Sequence, residues 1–114
     1  MVDFNEIQCL AEEFKECRKF LVAIGDEERQ NMIVSMALMN QPCGVCVNEI
    51  TRHTNLSRPA VSHHLKILRD AGIVQMRKEG THHYYYFDEN AEVLDKVIAM
   101  LSHARDILKS IGTE

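Results

Sequence analysis

No stretch of this chain approaches the 18 or so consecutive apolar residues that a membrane span needs, and the opening MVDFNEIQCL has no cationic start followed by an apolar run. A cytoplasmic protein without a membrane partner is expected. Internal repeats, low-complexity tracts and any linker long enough to separate domains are also missing. The 114 residues, 46% hydrophobic, therefore read as one domain (1–114) with enough apolar surface for a modest core. Positive charge is not in surplus either: the net charge of -4 does not suggest a nucleic-acid binder. With no secretory leader, the four cysteines are expected as reduced thiols, which favours metal binding, redox chemistry or burial over a structural disulfide framework.

The distribution of charge says more than its sum. Between Thr51 and His83 stand six basic residues (Arg52, Arg58, Lys66, Arg69, Arg77, Lys78) against two acids (Asp70, Glu79), a local balance of 6 - 2 = +4, together with five of the six histidines. The acidity lies towards the two ends, so one positive face on an acidic protein is expected.

Periodicity organises the chain. Ile7, Leu10, Phe14, Cys17, Leu21 and Ile24 recur at alternate spacings of three and four, which predicts an amphipathic helix over 4–24 with a narrow seam. Gly25 ends it, and Asp26 caps a second helix that carries Glu27 and Glu28 at its positive end and runs to about Asn40. Pro42 and Gly44 mark a loop around CGVC. VNEITRHT, NLS and RPAVSHHLKILRDAG then outline a helix-turn-helix over 47–72, with Asn55 suited to a positive-φ turn position, Ser57 as cap, Val61, Leu65 and Leu68 inward, and Gly72 as stop. IVQMR and HHYYYF, separated by KEGT, predict a two-stranded wing over 73–87 that turns at Gly80. A last helix over 90–111 spaces Leu94, Val97, Leu101, Ala104, Leu108 and Ile111 three and four apart. So short a chain offers little core for two outer seams, and the helices 4–24 and 90–111 are expected to meet a second copy in a homodimer.

The run GDEERQNMIVSMALM followed by CVNEITRHTNLSRPAVSHHLKILRDAGIVQMRKEGTHHYYYF resembles the ArsR/SmtB family of winged-helix repressors over roughly residues 20–110, most specifically in LSRPAVSHHLKILRDAGIV and the EG of the wing. The resemblance implies a mainly α fold with a small β-hairpin wing, a winged helix-turn-helix of four helices, two strands and a closing helix. It also implies a homodimer that represses from a double-stranded operator until an inducer acts, without catalytic activity. In a helix-turn-helix the second helix enters the major groove. Its outward side presents Pro59, Ser62, His63 and Lys66, with Arg58 at its start. Arg58 can pair bidentately with guanine, and Ser62 and His63 can donate or accept in the groove. Arg52, Lys66, Arg69, Arg77, Lys78 and Thr81 suit phosphates. His64, beside the core face, reads as structural, and Tyr84 to Tyr86 as strand packing.

The QPCGVC loop allows several chemistries. A thioredoxin-like centre needs a strand before CGVC and a parallel sheet around it, and a zinc ribbon needs a second CxxC; both are missing. The family's thiolate sensors resemble ELCVCDL at the start of the helix-turn-helix. Aligned on CVNEI, Cys46 takes the first cysteine position, Asn48 replaces the second, and Cys43 is an extra thiol. Cys9 and Cys17 on the first helix stand eight apart, about 80° around it and about 12 Å along it, so one ion does not readily hold both. Cys17, between Phe14 and Leu21, reads as a buried small hydrophobe, whereas Cys9 is freer. Two readings stay open: a sensor of Cys43 and Cys46, with Cys9 as a third member, and no inducer role for thiols. The sensor would take a soft ion such as arsenite, cadmium or lead, or zinc, or would answer an oxidant through a disulfide. A second family site on the final helix matches Asn90, Glu92, His103 and Asp106, a poor zinc set with one imidazole. The competing class is a small thiol-redox protein using Cys43 and Cys46.

Overall fold

The computed structural model describes residues 3–89 and 92–112. Asp3 accepts the Asn5 N–H at 2.9 Å and opens α1 (Phe4–Ile24); Asp26 accepts the Arg29 N–H at 3.1 Å and opens α2 (Glu27–Met39). Both carboxylates satisfy amides that the helix leaves unpaired. After α2 come β1 (Val45–Cys46), α3 (Val47–Arg52), α4 (Arg58–Asp70), β2 (Val74–Glu79), β3 (His82–Phe87) and α5 (Glu92–Gly112). At the start of α4 the Ser57 hydroxyl accepts the Ala60 N–H at 3.3 Å, and Pro59 sits in the first turn, where its missing N–H costs nothing. At the end of α4, Gly72 at φ +80° lets the Ile73 amide reach back to the Leu68 carbonyl and the Gly72 amide to that of Arg69, closing the helix as a Schellman turn.

The wing is wider than expected. Val45 pairs with Tyr85 and Cys46 with Tyr84, so β1 adds a third strand and the antiparallel order is β1-β3-β2. Two residues are too few to show an alternating pattern, and Gly44 was legible only as a loop residue. It stands at φ +106°, and a Cβ there would lie 3.2 Å from both the Tyr84 Cβ and the Tyr85 carbonyl oxygen. Its smallness lets the cysteine loop lie on the wing. Lys78 and Glu79, expected in the hairpin turn, extend β2; Glu79 faces His82 across a two-residue loop begun by Gly80 at φ +61°.

The expected left-handed Asn55 is not found; among the described residues Asn40 is the non-glycine residue with positive φ, at 49°, where it ends α2. The turn after α3 is closed instead by Thr54, whose hydroxyl donates to the Thr51 carbonyl at 3.0 Å and accepts the Leu56 amide at 3.2 Å. A side chain does there what an unusual φ was expected to do.

Two apolar clusters result. The larger joins α2, β1, α3, α4, β2 and β3 around Met32, Ile50, Val61, Leu65, Leu68, Val74 and Tyr85. The smaller lies between α1 and α5 and holds Cys17, Phe20, Val97 and Met100, and Ile73 packs against both. The outer seams are therefore partly used inside the chain: Cys17 and Val97 are buried, while Ile7, Phe14, Leu94, Leu101, Leu108 and Ile111 remain exposed. Phe20 and Met100, which the seams omitted, complete the contact, because each helix carries apolar residues on more than one stripe.

Candidate nucleic-acid interface

Helix α4 presents two unlike faces. Val61, Leu65 and Leu68 are wholly buried, which fixes the rotation of the helix. Arg58, Pro59, Ser62, His63, Lys66 and Arg69 are then left exposed on the other side. Arg52 and His53, at the end of α3, are exposed as well, and so are Lys78, Thr81, His82 and His83 at the wing tip. A cleft of about 80 Å³ between the starts of α3 and α4 and the wing tip is lined by Cys46, Asn48, Arg58, Thr81, His82 and His83. The structure thus brings the starts of α3 and α4 and the wing tip to one cleft, with positive and hydrogen-bonding groups around it.

Arg77 stands apart from the group it was placed in. Its Cζ lies 4.8 Å from the Tyr84 ring centroid, Nη2 is 3.0 Å from Glu79 Oε2, and Nη1 donates to the Cys43 carbonyl. Strand register explains this: Arg77 pairs with Tyr84, which also faces Cys46, so the three share the outer face of the sheet. Arg77 fastens the cysteine loop to the wing through Nη1 and Nη2.

Of the thiols, Cys43 and Cys9 are exposed, Cys46 is half-buried and Cys17 is buried, none in a disulfide. Cys17 fills the α1–α5 contact as expected. Among the described residues no three His, Cys, Asp or Glu side chains stand where they could hold a metal ion. The second candidate site is dispersed within the chain: His103 Nδ1 is 2.7 Å from Glu13 Oε1 on α1, Glu92 and Asp106 are exposed, and Asn90 lies outside the described residues. Glu92 and His103, eleven residues apart on one helix, are about 16 Å apart along its axis.

Comparison with known proteins agrees with this geometry. A family profile described as bacterial regulatory protein, arsR family, matches residues 28–76. An uncharacterized HTH-type transcriptional regulator of Methanocaldococcus jannaschii is 33% identical over 88 residues, which cover 76% of this chain and 96% of that protein. The chain belongs to the ArsR family of bacterial regulators. An arsenical resistance operon repressor of Staphylococcus aureus is 31% identical over 90 residues, covering 78% of this chain and 80% of the relative. The fold is shared with an ArsR-like transcriptional regulator from Rhodococcus sp. RHA1, at a TM-score of 0.67 and 18% identity over 88% of this chain and 90% of that one. As an ArsR-family member the chain is a DNA-binding transcriptional regulator and not an enzyme, which sets aside the thiol-redox alternative. No helix among the described residues is long and apolar enough to cross a membrane.

Two residues that matter to the architecture carry no obvious mark in the sequence. Glu13 reads as a solvated acid on α1, yet it meets His103. Arg29 lies outside the basic stretch, and its only signal is that α1 has no basic side chain in its last turn to meet its free carbonyls.

Proposed function

We propose that this ArsR-family chain is a cytoplasmic homodimeric repressor that sets α4 in the major groove of a pseudo-palindromic operator and rests its wing tips on the flanking backbone. The observation that carries this reading is the two-faced α4, with a wholly buried apolar side and Arg58, Ser62, His63 and Lys66 on its free side. Arg58 and His63 suit base edges, while Arg52, Lys66, Arg69, Lys78 and Thr81 suit phosphates. Arg77 leaves the phosphate group because Nη1 and Nη2 are turned to the Cys43 carbonyl and to Glu79. Support for the dimer comes from the apolar side chains that α1 and α5 leave in solvent, among them Phe4 at 70% and Leu108 at 67% exposure. A footprint on the protein's own promoter region should show two half-sites about one helical turn, roughly 34 Å, apart. One unrepeated half-site would count against the reading.

Cys43 and Cys46 support a thiol-based inducer site. Both lie on the segment that joins the wing to α3: Cys46 pairs with Tyr84, and the Cys43 carbonyl is held by Arg77. Capture of a soft ion such as arsenite, or oxidation to a disulfide, would draw the two thiols together and pull on both contacts. That the Staphylococcus aureus relative is an arsenical resistance repressor favours the metalloid. DNA release by arsenite, cadmium, zinc and peroxide is measured on the parent, Cys43→Ser and Cys46→Ser. If both variants respond like the parent, the thiol site is excluded.

A further inference from the structure

Arg29 is the one charged side chain buried among the described residues, at 9% exposure. A guanidinium withdrawn from water is tolerated only when its N–H groups find partners, and here each nitrogen has one. Nε donates to the Ala23 carbonyl at 2.7 Å, and Nη2 donates at 3.1 Å to the Val22 carbonyl, which also accepts the Gly25 amide, so both contacts fall on the end of α1. Nη1 donates to Nδ1 of His64 on α4 at 3.2 Å. Because a guanidinium cannot accept, this contact is a hydrogen bond in the tautomer of His64 that carries its proton on Nε2. Asp26 takes the backbone N–H of Arg29 at 3.1 Å and stands 4.0 Å from Nη1, anchoring the arginine at the start of α2.

We infer that Arg29 and His64 form a strut that fixes the angle between α1 and the recognition helix α4, and so sets the half-site spacing that the dimer accepts. This rests on the dimeric repressor reading above. Ala23 also packs in the core with α4 residues, but apolar contact is non-directional, whereas hydrogen bonds from a planar guanidinium to both helices resist rotation. The lever is long. The 21 residues of α1 span about 30 Å, so a tilt of about 10° at its Arg29 end moves the other end by about 5 Å. That exceeds the rise of one base pair, about 3.4 Å. His64 follows Ser62 and His63 directly in α4, so the strut holds the helix beside the residues that face the groove.

The test uses duplexes selected by the parent protein from a randomised library, the same duplexes with one base pair inserted or removed between half-sites, and a random duplex. His64→Leu removes the acceptor and keeps the bulk; His64→Gln restores an acceptor oxygen; Arg29→Lys keeps the charge but cannot reach three partners at once. The parent should prefer its selected spacing by about tenfold or more. His64→Leu and Arg29→Lys should dimerise normally, bind random duplex as the parent does and lose most of that preference, and His64→Gln should recover it. Nitrogen-15 shifts should show the Nε2–H tautomer of His64 in the parent and its loss in Arg29→Lys. The strut is overturned if either disrupting variant discriminates spacing like the parent, if His64→Gln behaves like His64→Leu, or if His64→Leu weakens random-duplex binding, which would make His64 a phosphate contact. Should Arg29→Lys or His64→Leu fail to fold, the other decides. If the parent itself selects no paired half-sites, the dimeric reading falls first and takes the strut with it.

Discussion

The two apolar clusters differ in how completely one chain closes them. Around α4, the side chains of Ile50, Val61, Leu65, Leu68 and Val74 are all at 0% exposure. Along α1 and α5, Cys17, Val97 and Met100 are buried, but Ile98, Leu101, Leu108 and Ile111 stand more than half exposed. The α4 cluster is closed within the chain, whereas the outer helices carry apolar surface that intramolecular packing does not use. A difference of this kind separates residues that hold the fold from residues available to hold a second copy.

The largest effect should come from the closed side. Leu65→Ala removes most of a fully buried side chain on the inner face of α4 and should cost about 2–5 kcal/mol. Set against the roughly 5–15 kcal/mol typical of a whole domain, this is enough to lower the urea midpoint sharply. A loss below about 1 kcal/mol would show that the α4 cluster collapses around the gap and is less rigid than its burial implies.

The complementary change is made on the open side. Leu101 is 53% exposed, so Leu101→Glu should leave the fold of each chain intact. In the proposed dimer the added carboxylate would be buried without a partner, which should weaken self-association by about two orders of magnitude and operator binding with it. Sedimentation at a range of concentrations checks the first and a gel shift the second. If the variant stays dimeric, the exposed stripe of α5 is not the meeting surface.

Lys66→Ala tests the free face of α4 without touching either cluster. It should weaken binding to every duplex and reduce the salt slope by about one, as loss of a single phosphate contact does. A changed base preference at one position would instead make Lys66 a base contact.

How much of this was legible in the sequence follows the same division. Helices α2 and α4 could be placed because their signals are local: Asp26 and Ser57 cap as their chemistry dictates, Gly72 takes the positive φ that a helix stop needs, and Val61, Leu65 and Leu68 are buried as their spacing requires. What escaped depends on tertiary approach. The two-residue β1 exists because β3 offers it an edge. Arg29 turns inward because α1 ends beside it, and Arg77 turns to the loop because Tyr84 and Cys43 lie on its face. Seam spacing could not divide the outer helices into inward and outward stripes, since α5 is apolar at 97, 100 and 107 as well as at 94, 98, 101 and 108. Reading Asn55 as the left-handed residue failed because a threonine hydroxyl closes that turn, while the left-handed position was needed one helix earlier, at Asn40.

The smallest effect probes what joins the two outer helices inside one chain. His103 and Glu13 make a polar link between α5 and α1 at 2.7 Å, with side chains 27% and 30% exposed, so water competes with it from the open side. A pair so placed is worth about 1 kcal/mol or less. Glu13→Gln retains an acceptor oxygen and removes the charge, and should lower the urea midpoint only slightly, far less than Leu65→Ala. If the loss approached that of Leu65→Ala, the α1–α5 contact would depend on the polar link more than on Cys17, Phe20, Val97 and Met100. The open side would then be held by that polar link, and its apolar residues would be free to serve the second copy almost entirely. A small loss leaves those four side chains as the intramolecular clamp and confines the shared surface to the stripe that they do not cover.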